Sequence, residues 1–169
     1  MALGRQVLTN DVHFCAWADR LLLAGCSALT AEELSRDFRI SHTSIVRTLH
    51  HYYDGQRVWL DCLRTTPDGG SWRLPIEPSP LLSLDALQQK WPALWEGFRA
   101  WIESQRESSL EVELTLYLPG EVTKNLPRWK ILRHVLDHSI KHRGQVVGMI
   151  RMLGHPPPNL SPMDYHLSS

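Results

Sequence analysis

The sequence predicts an all-α fold, in which long helices form a bundle and a small β-hairpin precedes the last helix. Four long segments repeat apolar residues at intervals of three and four, as amphipathic helices do. Another segment, 110–118, alternates apolar and polar residues, and this period of two indicates a strand. With 169 residues, the chain is long enough to bury one core, so we expect a single domain comprising residues 1–169.

The first half of the chain contains two of the predicted long helices, at 6–29 and at 41–64. Between them, the sequence TAEE that begins at Thr30 is a capping box, which predicts a short helical turn. Four prolines and two adjacent glycines in 65–83 exclude a continuous helix there. We therefore expect a long connection that spans the bundle before the third helix begins.

The second half begins with a helix predicted at 84–108, in which Pro92 either introduces a kink or marks the true start. The alternating strand is followed by a Pro-Gly turn and a shorter strand at 121–126, which together predict a hairpin. A fourth helix should begin near Pro127 and end before Gly154 and three consecutive prolines. We expect the tail after the prolines to pack back as an extended strap.

Charge and cysteine content argue against several classes of protein. The 18 basic and 18 acidic residues balance, whereas proteins that bind nucleic acid normally carry a basic surface. Three cysteines form no disulfide framework, which favours a reducing cytoplasm. No apolar run is long enough to span a membrane, and the first residues do not resemble a signal peptide. We expect a cytoplasmic protein that binds neither nucleic acid nor a membrane.

The most informative stretch is RHVLDHSIKHRGQ, which places His134, His138 and His142 four residues apart on the last helix. At that spacing, two imidazoles converge on one side of a helix and can bind one metal ion, while a further ligand must come from another element. His134 is too far from His142 for one ion to bind His134, His138 and His142 together. His51 on the second long helix faces inward, so His51, His138 and His142 form a candidate metal site. Hydrogen-bonded core or surface histidines are the alternative.

Other candidate residues are less suited to that site. His50 points about 100° away from His51 on the same helix, and Cys62 lies too far along it. Residue 139 is serine, so the sequence lacks the glutamate of a zinc protease motif. Surface or capping roles are expected for the histidines near helix ends and in the tail, which are His13, His42, His155 and His166. The acidic residues that could orient the ligands are Asp54, Asp137 and Glu96.

Several motifs together resemble the DinB/YfiT-like superfamily. The segment RHVLDHSIKHRGQVVGMIRMLGHPPP is similar to its pattern HxxNHxxxHRGQ, with Asp137 where Asn is common. The segments FCAWADRLLL, SHTSIVRTLHHYYDGQRVWL and LTLYLPG are similar to its first helix, second helix and hairpin. The resemblance implies a four-helix bundle with a long crossover loop and a divalent metal, often nickel or zinc. The ligands it implies are His51, His138 and His142, although the doubled histidine leaves His50 open as an alternative to His51.

Three imidazoles would leave a coordination position for water or substrate, which is typical of a catalytic site. Some members of the superfamily are transferases or isomerases that use low-molecular-weight thiols. The first hypothesis is therefore a metal-dependent enzyme, either a thiol transferase or a hydrolase, acting on a small molecule. The second is a non-catalytic, stress-associated homodimer with a structural or vestigial metal, in which tryptophans of helices one and three form the interface. The catalytic residues, the substrate and the metal cannot be identified from the sequence.

Overall fold

The computed structural model describes residues 3–40, 42–75, 77 and 79–168. Within these ranges the chain is mostly helical, with a small three-stranded sheet. The helices are α1 (Leu3–Cys26), α2 (Ala31–Ser35), α3 (Ile45–Thr65), α4 (Leu84–Ser104), α5 (Arg128–Met152) and α6 (Pro162–Ser168), and a 3-10 helix spans Glu107–Glu111. The strands are β1 (Ser71–Arg73), β2 (Glu113–Leu118) and β3 (Val122–Pro127).

The long helices pack around a shared apolar core. Helices α1 and α3 each contact both α4 and α5, and the apolar faces of all four meet between them. Burying one large side chain of this kind contributes about 1.5–3 kcal/mol. The largest fully buried side chains include Leu22, Leu49, Tyr52, Trp91, Phe98 and Ile131.

The predicted helix starts are correct at α2 and α4, whereas the start predicted for α3, residue 41, is too early. The Thr30 hydroxyl accepts from the amide of Glu33 at 3.2 Å, and the Glu33 carboxylate accepts from the amide of Thr30 at 2.8 Å, which confirms the capping box. Helix α3 begins at Ile45 because Ser44 is its N-cap. The predicted first residue, Ser41, lies outside the described residues. His42 therefore precedes α3 and lies in a turn.

Helix α4 runs through Pro92, which neither marks its start nor ends it. The first part of the predicted strand is instead a 3-10 helix, in which the Ser109 hydroxyl donates to the carbonyl of Arg106 at 2.8 Å and supports a turn. The hairpin is confirmed, because β2 and β3 pair antiparallel around the Pro-Gly turn. The sequence did not predict β1, which lies in the 66–83 connection and pairs parallel with β2.

The end of the chain differs from the predicted extended strap, because residues 162–168 form α6. Ser161 precedes Pro162, and its hydroxyl accepts from the amide of Asp164 at 3.4 Å, which is an N-terminal cap with proline at the first helical position. The segment does pack back onto the first helix, since the Tyr165 ring contacts Phe14 at 5.6 Å. None of the described helices is long and apolar enough to cross a membrane.

Candidate metal centre

Three histidine side chains from two packed helices meet at one point. The Nε2 atom of His138 on α5 lies 3.3 Å from Nε2 of His51 on α3 and 2.9 Å from Nε2 of His142. His138 and His142 share a face of α5 because four residues make just over one helical turn. The structure thus brings together the three histidines that the sequence singled out.

Hydrogen bonding alone does not account well for this cluster. If His138 carries its proton on Nε2, it can donate to one neighbour, and if it does not, it can accept from one. At most one of the two contacts is then a linear hydrogen bond between neutral rings. A metal ion at 2.0–2.1 Å from each nitrogen, with angles near 90–110°, gives separations of about 2.9–3.4 Å between nitrogens. The separations of 3.3 Å and 2.9 Å from Nε2 of His138 fall within this range.

Gln145 fixes which nitrogen of His142 is free to bind. Its side-chain oxygen lies 2.7 Å from Nδ1 of His142, so Nδ1 carries the proton and donates it to this amide. The lone pair of the neutral ring is then on Nε2, which faces His138. Metal-ligating histidines usually donate their second ring nitrogen to such a partner. The sequence HRGQ therefore contains a candidate ligand and, three residues later, the group that orients it.

The environment keeps these imidazoles neutral, as metal ligation requires. Burial, followed by the proximity of His142 and His51, lowers the pKa of His138 to about 3. Burial, followed by the proximity of His42 and His142, lowers the pKa of His51 to about 4. Burial also lowers the pKa of His142, and Lys141 lowers it further. Each ring offers an unprotonated nitrogen at neutral pH.

His42 joins this cluster, although the sequence placed it among the surface and capping histidines. Its ring stacks on that of His51, with ring centres 3.7 Å apart and planes inclined by 20°. One nitrogen each of His42, His51 and His142 lie within 4.8 Å of one another, a grouping that could hold a metal ion. The helical periodicity of the sequence gave no signal for His42, because it lies in the turn before α3.

A glycine of α3 makes room for the ring of His138. A Cβ atom added at Gly55 would lie 3.3 Å from Cε1 of His138, which is tighter than most contacts of this kind. Gly55 lies one turn after His51 on the same helix. The missing side chain therefore lets the two helices approach closely enough for His51 and His138 to meet.

A buried polar network beneath the histidines joins the helices that carry them. Asp19 of α1 accepts hydrogen bonds from the hydroxyl of Tyr52, from Arg143 at 3.0 Å and from the indole of Trp95 at 2.8 Å. Asp19 and Arg143 are only 2% and 4% exposed. Tyr52 follows His51 in sequence and Arg143 follows His142. The network thus fixes the relative positions of α3 and α5 at the site.

The two other histidines that the sequence weighed, His50 and His134, make their main contacts outside the cluster. His50 contacts the 66–83 connection, where its ring nitrogens lie 3.3 Å from the Ser79 hydroxyl and from the amide of Leu82. His134 packs edge to face against Trp59, with ring centres 5.4 Å apart. Its ring centre also lies 5.7 Å from that of His138, so His134 packs beside the cluster.

Of the acidic candidates, only Asp54 bears on the cluster. Its charge acts on the pKa of His51 in the raising direction, and its carboxylate pairs with Arg57 at 2.9 Å. Asp137 pairs with Arg133 on the exposed side of α5. Glu96 borders a separate cavity of about 540 Å³ between α1 and α4, whose lining contains none of the clustered histidines.

Comparison with known proteins gives one result for the whole chain. The model of the DinB family matches residues 5–168, which is nearly the entire sequence. No curated protein matches the chain at a significant level.

Proposed function

Because the chain belongs to the DinB family, we propose that it binds a divalent transition metal, nickel or zinc, through His51, His138 and His142. The proposal includes a metal-dependent enzyme activity that joins a low-molecular-weight thiol to an electrophilic small molecule. One observation carries the metal site: Nε2 of His138 lies within 3.3 Å of the same atom in both other rings. Gln145 supports it by leaving Nε2 of His142 unprotonated.

The chemistry follows from three neutral ligands and an open position. A divalent ion in this site supplies Lewis acidity, which lowers the pKa of a water or a thiol. His138 and His51 are only partly buried, so the cluster is within reach of a small molecule. In the transfer, the thiol releases its proton to solvent and its sulfur forms a bond to the electrophilic carbon. The leaving group departs with the bonding electrons, so no oxidant or reductant is required.

The thiol has to come from outside the protein. Burial raises the pKa of Cys15 and Cys62 to about 11, and of Cys26 to about 12. All three are unpaired and buried, so they are protonated at neutral pH and shielded from substrate. Free cysteines also fit the cytoplasmic location that we propose.

Turnover with a thiol and a general electrophile tests the enzyme activity. Protein loaded with nickel or zinc is mixed with cysteine or glutathione and 1-chloro-2,4-dinitrobenzene, and formation of the thioether is followed by absorbance. We expect turnover that is lost in His138→Ala and retained in His50→Ala, whose ring contacts the 66–83 connection. A metal-free His138→Ala variant with the full rate would overturn the proposal.

The non-catalytic homodimer is the competing function, and its predicted interface finds little support. The α4 tryptophans are core residues, since Trp91, Trp95 and Trp101 are 1%, 4% and 6% exposed. Trp17 of α1 packs against Tyr165 of the same chain, with ring centres 5.4 Å apart. Light scattering tests dimerisation directly. This function would be favoured if the protein is a dimer, if removing the metal lowers its thermal stability, and if no thiol is turned over.

The architecture that we propose for this site is a four-helix bundle made of α1, α3, α4 and α5 in one domain. In it, the 66–83 connection is the crossover loop. Support comes from the pairwise packing of these helices and from the shared core. Helices α3 and α5, which carry the three proposed ligands, pack against each other, and this supports a metal site between helices rather than on a loop.

A further inference from the structure

A fourth imidazole stands at the proposed metal site and has no role in the three-histidine arrangement. The ring of His42 lies over that of His51, with centres 3.7 Å apart, and its centre is 5.4 Å from that of His142. A potential ligand nitrogen of His42 lies within 4.8 Å of one on each of these two residues. Two of the three proposed ligands are therefore also neighbours of His42.

The position of His42 suits ligation with a small movement. Nitrogens that share one ion are about 2.9–3.4 Å apart, so a movement of no more than roughly 2 Å would bring the His42 nitrogen, already within 4.8 Å of those of His51 and His142, to such a separation. The four rings together would surround an ion with nitrogens from α3, from α5 and from the turn before α3.

The backbone that carries His42 differs from that of the other three. His51, His138 and His142 lie within the long helices α3 and α5, whose backbones are held in place by core packing. The turn around His42 is closed by two short hydrogen bonds, from the amide of Phe38 to the carbonyl of Thr43 at 2.7 Å and from the amide of Thr43 to the carbonyl of Ile40 at 2.6 Å. His42 is thus attached to a local structure that can rearrange without moving a helix.

Backbone strain is concentrated next to His42. Thr43 has φ of +62°, a left-handed conformation that is sterically unfavourable for a β-branched residue. Such conformations occur where the surrounding structure enforces them, and they are frequent at ligand clamps and switch regions. The strain lies between His42 and Ser44, the N-cap of α3. A rearrangement of the turn that moved His42 away from the ion would also release the strain at Thr43.

We propose that His42 is an exchangeable fourth ligand, which occupies the open coordination position and yields it to an incoming water or thiol. This inference rests on the proposed metal site. The helix-borne histidines hold the ion permanently, whereas His42 competes with small molecules for the remaining position. The apparent affinity for such a molecule is then the intrinsic affinity multiplied by the fraction of time that His42 is not bound.

Cobalt(II) titration followed by visible absorption tests this directly, because the d–d bands report the number and type of ligands. We compare wild type, His42→Ala and the control His50→Ala, each checked for folding by circular dichroism. Wild type and His50→Ala should bind one ion per chain with the same spectrum. His42→Ala should also bind one ion, with a shifted spectrum. If His42 is bound about 90% of the time, 2-mercaptoethanol should bind the cobalt form of His42→Ala roughly tenfold more tightly than that of wild type.

The possible results separate this inference from the metal site itself. If His42→Ala binds cobalt with the spectrum and thiol affinity of wild type, the role of His42 is overturned and the three-histidine site stands. If the folded variant binds no cobalt, His42 is an essential ligand and not an exchangeable one, which also overturns the inference. If wild type itself binds no cobalt, the metal site fails, and this inference fails with it.

Discussion

Replacing Gln145 by leucine should weaken metal binding without unfolding the protein. The substitution removes the oxygen that accepts the Nδ1 proton of His142 at 2.7 Å, so the ring is free to carry its proton on Nε2 and to rotate. Loss of such an orienting partner typically reduces metal affinity about 10- to 100-fold, which corresponds to about 1.4–2.7 kcal/mol. Gln145→Glu should retain or increase affinity, because a carboxylate is the stronger acceptor.

Competition with a chromophoric chelator for zinc measures this change. The control is Gln89→Leu, the same substitution at an exposed position on α4, which should bind zinc as wild type does. Thermal unfolding of the metal-free proteins shows whether each variant is folded. The reasoning is refuted if Gln145→Leu is folded and binds zinc as tightly as the control.

Three further perturbations test the surroundings of the site. Gly55→Ala should weaken zinc binding, because its Cβ would lie 3.3 Å from His138. Gly148→Ala, with open space around it, should leave zinc affinity unchanged and gain up to about 1 kcal/mol of helix stability. Asp19→Ala removes the buried partner of the Arg143 guanidinium and should lower the free energy of unfolding in urea by about 3–5 kcal/mol. Asp137→Ala, at an exposed position, should lower it by less than about 1 kcal/mol. Equal losses in the two variants would contradict the role of the network. Metal-free protein should be less stable at pH 5 than at pH 7.5. The pKa of His138 is about 3 in the folded protein and about 6.5 in the unfolded chain. As the pH falls from 7.5 to 5, the unfolded chain therefore binds more protons than the folded protein does, which favours unfolding. An equal or higher urea midpoint at pH 5 would contradict that assignment.

The helices were predictable because their signals are local. Apolar periodicity located the four long helices, and the Thr30 capping box and the Pro-Gly hairpin turn are confirmed in the structure. Local signals also explain two errors. Serine and proline at 161 and 162 form a helix start that the sequence analysis overlooked. The apolar alternation is genuine in β2, where Leu114 and Leu116 are buried, but it does not extend back to Leu110, which is buried from a 3-10 helix.

The features that depend on tertiary contacts were harder to predict from the sequence. Strand β1 has three residues and exists because it pairs with β2, so its own sequence carries little information. His42 approaches the cluster through a turn with positive φ at Thr43, which no periodicity reveals. Gln145, by contrast, could have been assigned, because three residues after His142 is the spacing at which helical side chains contact each other. The site was predictable where it follows helix geometry, and not where it depends on a loop.

The metal content of untagged protein tests the central claim most directly. Wild type and a variant with alanine at His51, His138 and His142 are incubated with zinc or nickel, dialysed and analysed by inductively coupled plasma mass spectrometry. The account predicts one divalent ion per chain in wild type and less than about a tenth of that in the folded variant. Wild type without bound metal, or a variant that retains one ion per chain, would contradict it.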